Sequence, residues 1–216
     1  ALGYMALAGW DVNKSTAALT PVLKLAEATQ GDLATTSDLV TDSMSAMGVG
    51  IESLQPYLDT VVKTNNKANT NAAQLMEAFI GVGGAAKAAG LDYKATATAL
   101  GIMANNGLKG AQAGTALNSI LVRMTSKDTA LNAYKKLGVS IYDTAGNTRD
   151  FGDILKDTNK AMANMTEEEK NSYMAAIAGS NYYSVYKNLL EGVTDSVDGG
   201  ASAWDNLAAE IENSDG

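Results

Sequence analysis

Glycine falls at almost every point where an apolar stripe ends, at Gly9, Gly31, Gly48, Gly107, Gly138, Gly179 and Gly192. A residue without a Cβ adopts the left-handed backbone that closes a helix at no steric cost. The chain is therefore cut into short amphipathic segments that must fold back on one another, and a single rod is excluded. Leu2, Met5 and Ala6 form the first short helix. Asp11 or Asn13 can cap the next segment, and Thr20-Pro21 reads as an N-cap followed by proline at the first helical position, starting a helix with Val22, Leu25 and Ala26. Asp32 caps a run through Val40, Met44 and Met47 to Gly48. Ser53 to Asn66 follows, with Pro56 tolerated in its first turn.

Thr70 opens a segment in which Leu75, Phe79, Val82 and Ala86 share a face, interrupted by Gly81, Gly83 and Gly84. Each glycine costs roughly 1 kcal/mol against alanine, so these three imply a tight approach to a neighbouring helix or a break. Asp92 caps Tyr93 to Asn105. Ala111 to Met124 places Leu117, Ile120, Leu121 and Met124 on one stripe, and Ser126 is positioned to cap a helix with Leu131, Tyr134 and Leu137.

The period then changes to two. Val139 and Ile141 alternate with Ser140 and Tyr142, and Asp143 to Asn147 is a polar turn leading into Thr148 and Arg149, which predicts a short β-hairpin near 139–150. Asp150 and Asp153 open a helix through Met162. Thr166 with Glu169 three residues on is a capping box for a helix to Gly179. Tyr182 to Leu190 is a further helix, Val197 to Gly200 a loop, and Ala203 to Ile211 a last helix before a polar tail. The expected class is thus mainly all-α, a compact bundle of about ten helices with one hairpin.

A spacing of 98 relates Leu2-Gly3, Met5-Ala6, Gly9 and Ala18-Leu19 to Leu100-Gly101, Met103-Ala104, Gly107 and Ala116-Leu117. Such matches arise from an internal duplication or from Ala-rich helices ending in glycine. A duplication divides the chain into an N-terminal helical subdomain at 1–92, a second with the hairpin at 93–192, and a C-terminal helix and tail at 193–216.

Composition removes much chemistry. The chain has no His and no Cys, so it has no imidazole base, thiol nucleophile, disulfide or common zinc ligand set. Its net charge is −8, with dispersed basic residues, which argues against phosphate-backbone binding. Uncharged runs such as that between Lys94 and Lys109 are too short for a bilayer core that needs about 20 apolar residues. Ala1 to Trp10 lacks a basic leader, and the absent initiator Met suggests a piece of a longer chain.

The remaining candidates each have a structural explanation. Glu167, Glu168 and Glu169 are where a lytic glycosidase would place a carboxylate, yet the start of a helix favours them through its dipole. Gly81-Val82-Gly83-Gly84 lacks the lysine and hydroxyl of a P-loop. Asp143, Asn147 and Asp150 lack EF-hand spacing. Tyr182, Tyr183 and Tyr186 suit a core or interface more than ligand stacking. No catalytic, cofactor-binding or metal residue is assigned, and no cofactor.

The order of motifs in KGAQAGTALNSILVRM, LGVSIYDTAGNTRDFGDIL, MANMTEEEKNSYMAAIAG and NLLEG resembles the core of bacteriophage tail tape measure proteins of the TP901 type. The matching positions are Gly110, Ala113, Gly114, Thr115 and Leu117; Leu137, Gly138 and Val139; Asp143, Gly146 and Arg149; Asp153, Ile154 and Leu155; and Glu167 to Gly179. LAGWD and LKLAEATQGDLATTSDLVTDSM fit the same family upstream. One departure is Ala178-Gly179, where Phe-Gly is more frequent. The resemblance implies a virion structural protein that sets tail length in the tail tube and takes part in genome delivery, assembled in the host cytoplasm. It also implies contacts with tail tube protein, tail tip or baseplate proteins and tail assembly chaperones, with self-association as a further option. Specific nucleic-acid binding is not expected. A peptidoglycan-degrading domain and a non-viral helical interaction module are the alternatives.

Overall fold

The computed structural model describes residues 1–194 and 199–214. Among them are twelve α-helices: α1 (Leu2–Leu7), α2 (Val12–Ala28), α3 (Leu33–Met47), α4 (Leu54–Lys67), α5 (Ala72–Ala88), α6 (Tyr93–Asn105), α7 (Gly110–Ser126), α8 (Asp128–Leu137), α9 (Phe151–Ala161), α10 (Glu167–Ala178), α11 (Tyr183–Gly192) and α12 (Ala203–Glu212). A single 3₁₀ turn, Ile51–Ser53, leads into α4. The all-α expectation therefore holds. Val197 and Asp198, half of the expected loop at 197–200, lie outside the described residues.

Helix starts follow the acidic and amide caps. Asp11, Asp32, Asn71, Asp92, Asp150, Thr166 and Ser202 each accept a backbone N–H with the side chain at the head of α2, α3, α5, α6, α9, α10 and α12. Three sequence expectations are corrected. Thr20-Pro21 does not begin a helix: Asp11 has already started α2, and Pro21 lies inside it. Burial of Ala18, Val22, Leu25 and Ala26 along one face outweighs the amide hydrogen bond that proline cannot make. Asn71, not Thr70, caps α5. Ser126 ends α7 with its hydroxyl on the Val122 carbonyl at 2.6 Å, and Lys127 occupies the cap of α8 without a side-chain bond.

The hairpin is a fourth correction. Among the described residues there is no strand; Tyr142 and Thr148 form one isolated antiparallel bridge. Val139 and Ile141 are buried while Ser140 and Tyr142 point outward, so the alternation is real. It has no ladder to join, because Asp150 caps α9 two residues after the bridge. The Asp143 carboxylate accepts the N–H groups of Ala145 and Asn147, both at 2.9 Å. The segment is thus a side-chain-closed turn.

Layering follows from small residues. α5 packs between α3 and α7. A Cβ on Gly83 would collide with the Ala46 carbonyl of α3, and one on Gly114 with the Ala78 carbonyl of α5. The glycines therefore set backbone-to-backbone contact across three parallel helices, and α5 passes through Gly81, Gly83 and Gly84 unbroken. Behind them, α2, α4 and α6 form a second layer. Caps Asp32, Asn71 and Lys109 at the heads of α3, α5 and α7 recur roughly every 38 residues, the spacing of stacked helical pairs. α8 to α11 close one end, and α12 lies across α4 and α6. A continuous buried cluster runs from Met5 to Ile211.

Candidate functional site

The residues that carry the motif pattern are engaged in holding helices together. Gly110 has φ +65° beside Glu77, and Ala113 and Leu117 are buried. Arg123, at the end of the same helix, donates to the Ala176 and Ile177 carbonyls at 3.0 and 3.1 Å. It thereby satisfies the open C-terminal end of α10, next to Gly179 at φ +84°. Ala178 there is fully buried.

Asp143, Gly146 and Arg149 form a second unit. Gly146 takes φ +88°, and Arg149 donates to the Ser140 carbonyl at 2.6 Å and to Asp157 at 2.7 Å. The turn is thereby tied to α9. Hydrogen bonding, first from the Asn147 backbone, holds the Asp143 carboxyl below its ordinary range. Asp150 is occupied in capping α9, so the three polar residues around the turn do not converge. No group of three His, Cys, Asp or Glu side chains among the described residues could hold a metal ion.

The three glutamates stand on the first turn of α10. Glu169 accepts the Thr166 N–H at 2.8 Å in a complete capping box, and Glu167 pairs with Lys170 at 3.0 Å. Lys170 and the Thr166 backbone respectively push the Glu167 and Glu169 carboxyls down. A glycosidase acid needs the opposite, a carboxyl raised by burial. Glu167 borders a cleft of about 650 Å³ between α9, α10 and α11, whose wall carries Lys156, Lys160, Lys187 and Glu191 around Met162, Met174 and Leu190.

The three tyrosines separate. Tyr183 is exposed and Tyr182 half-buried, whereas Tyr186 is fully buried with its hydroxyl 2.9 Å from that of Tyr134. Burial pushes the Tyr134 phenol well up and that of Tyr186 to about 12. Thr158 of α9 donates to the Ile154 carbonyl at 2.6 Å, and in the buried Tyr134–Tyr186 pair each hydroxyl is the other's partner. The pair links α8 to α11.

Sequence reasoning missed the attachment of α12. Asp205 pairs with Lys156 at 2.7 Å, Glu210 with Lys67 at 2.8 Å and Lys63 at 3.7 Å, and Glu212 with Lys94 at 3.0 Å. Lys63 and Lys67 lie four apart on α4, which shows that they share a face. Nothing in the sequence says that Glu210 meets them.

Comparison with known proteins gives a consistent result. The chain is 32% identical over 213 residues to the tape measure protein of Pneumococcus phage Dp-1, covering 98% of this chain and 18% of that protein. It is 27% identical over 216 residues to the probable tape measure protein of Escherichia phage P2, covering 97% of this chain and 26% of that protein. The chain therefore spans about a fifth to a quarter of these relatives, and neither is named as an enzyme. No solved structure matches. The family model described as phage-related minor tail protein matches residues 1–179, from α1 through the glycine that closes α10, and the chain belongs to that family.

Proposed function

We propose that this chain is a folded module of a phage tail tape measure protein, acting as a scaffold in tail assembly and not as the graduated part of the ruler. The observation that carries this reading is that the family match over 1–179 coincides with a buried core in which the motif residues serve packing and capping. Fully helical, 216 residues would span roughly 320 Å at 1.5 Å per residue. Folded compactly, the same chain has a radius of gyration of about 17 Å, so its contour length is hidden inside the bundle. Such a module docks at a tail end, or opens to enter the tube. Tail tube protein, tail tip or baseplate proteins and assembly chaperones are its expected partners, in the virion and, during assembly, in the host cytoplasm.

Removing one helical pair, such as α4 and α5, in frame from the full-length protein tests this. Electron microscopy should find far fewer assembled tails, with the survivors at normal length. Tails shortened in proportion to the residues removed, at normal yield, would refute the scaffold reading.

A further inference from the structure

α12 differs from the other helices in how it is held. Its apolar side is three residues, Trp204, Leu207 and Ile211. Trp204 meets Phe151 edge-on at 6.0 Å, and Leu207 sits over Gly101 of α6, where a Cβ would come within 2.5 Å of Leu207 Cδ2. Each acidic side chain beside that stripe, Asp205, Glu210 and Glu212, meets a lysine on α9, α4 or α6. By contrast, the ion pairs Lys14–Asp11, Arg149–Asp157, Lys170–Glu167 and Lys187–Glu191 join partners no more than eight residues apart. Charge thus fastens this helix to the bundle across the fold. The carboxylates and lysines involved are a quarter to two-thirds or so exposed, so salt reaches them.

We propose that α12 is a detachable strap and that the α4–α6–α9 face beneath it is a helix-binding surface, whose occupant in this structure is this chain's own acidic amphipathic helix. Ten helical residues are too few to be stable alone in water, so α12 unfolds on leaving. The Ser202 cap, bonded to Asp205 in both directions, re-forms its first turn on return. α5 and α7, joined through backbone contact at Gly114, have no such ionic dependence and stay folded when α12 leaves.

Hydrogen exchange of the whole chain, read by mass spectrometry, tests the proposal. Raising NaCl from 50 to 500 mM should speed exchange of α12 amides roughly tenfold while α5 and α7 change little, because ion pairs at this exposure weaken as the screening length shortens. In a variant carrying Asp205→Asn, Glu210→Gln and Glu212→Gln, α12 should exchange fast at both salt concentrations. A synthetic peptide of residues 199–214, at about the millimolar level that a short tether provides, should speed α12 exchange in the wild-type chain by trapping the vacated face. Exchange of α12 at the same rate as α5 and α7, an unchanged salt response in the triple variant, or no effect of the peptide would each overturn the proposal.

Discussion

At the scale of single residues, the closest packing depends on glycines that look alike in the sequence and are not equivalent. Gly83 and Gly114 face backbone carbonyls of neighbouring helices, whereas Gly84, one residue from Gly83, faces open space. Gly83→Ala and Gly114→Ala should each destabilise the fold by about 1–3 kcal/mol, the range for overpacking. Gly84→Ala should stabilise it by up to about 1 kcal/mol through helix propensity and a less flexible unfolded chain. Urea denaturation midpoints read all three, and equal effects would contradict the packing described. Sequence alone showed that the Gly81–Gly84 stretch needed an explanation. It did not show which glycine carries the contact, because that depends on the rotation of α5 against α3 and α7.

At the scale of elements, start signals were legible and several boundaries were not. Asp32, Asp92, Asp150 and Thr166 cap the helices expected of them, because an N-cap hydrogen bond is local. Pro21 misled because proline at the first helical position and proline inside a helix share the same neighbours; only the buried side of α2 distinguishes them. Pro21→Ala should therefore raise stability by about 1–3 kcal/mol, since alanine restores an amide donor and removes the ring clash in the helix interior. Calorimetry would show a lower melting temperature instead if a helix truly began at residue 21. The turn at 139–150 failed as a hairpin for a related reason. Period-two alternation marks which side is buried, whereas a strand needs a partner, and the next arm is taken by α9.

For the whole molecule, the buried tyrosines set the response to alkali: the pair Tyr134 and Tyr186, with Tyr57, whose phenol burial also pushes up. The phenols of Tyr134 and Tyr186 are raised by burial, so above pH about 10, the ordinary tyrosine value, the unfolded chain releases protons that the folded chain keeps. Stability is complete below that pH and falls as pH rises toward about 12, where Tyr186 ionises. Lys156, raised first by its bond to Asp205, acts in the same direction. Tyr186→Phe should lower stability at neutral pH, because it strands the Tyr134 hydroxyl, and flatten the fall between pH 10 and 12. Melting curves across that range check both effects; an unchanged slope in the variant would mean that the pair is not the source. The sequence by itself determined a mainly helical chain, most helix starts and the left-handed glycine stops at Gly9, Gly48, Gly107 and Gly138, because caps, stripes and left-handed turns are settled within a few residues. After α2 the left-handed residue is Gln30 instead of Gly31, and Gly192 lies inside α11. It also excluded thiol and imidazole chemistry. Only the tertiary structure decided that α5 runs unbroken between α3 and α7, that Tyr134 meets Tyr186, that helical pairs stack about 38 residues apart, and that α12 is fastened by distant lysines. Those contacts join residues far apart in the chain, and their energies exist only after the backbone has brought the faces together.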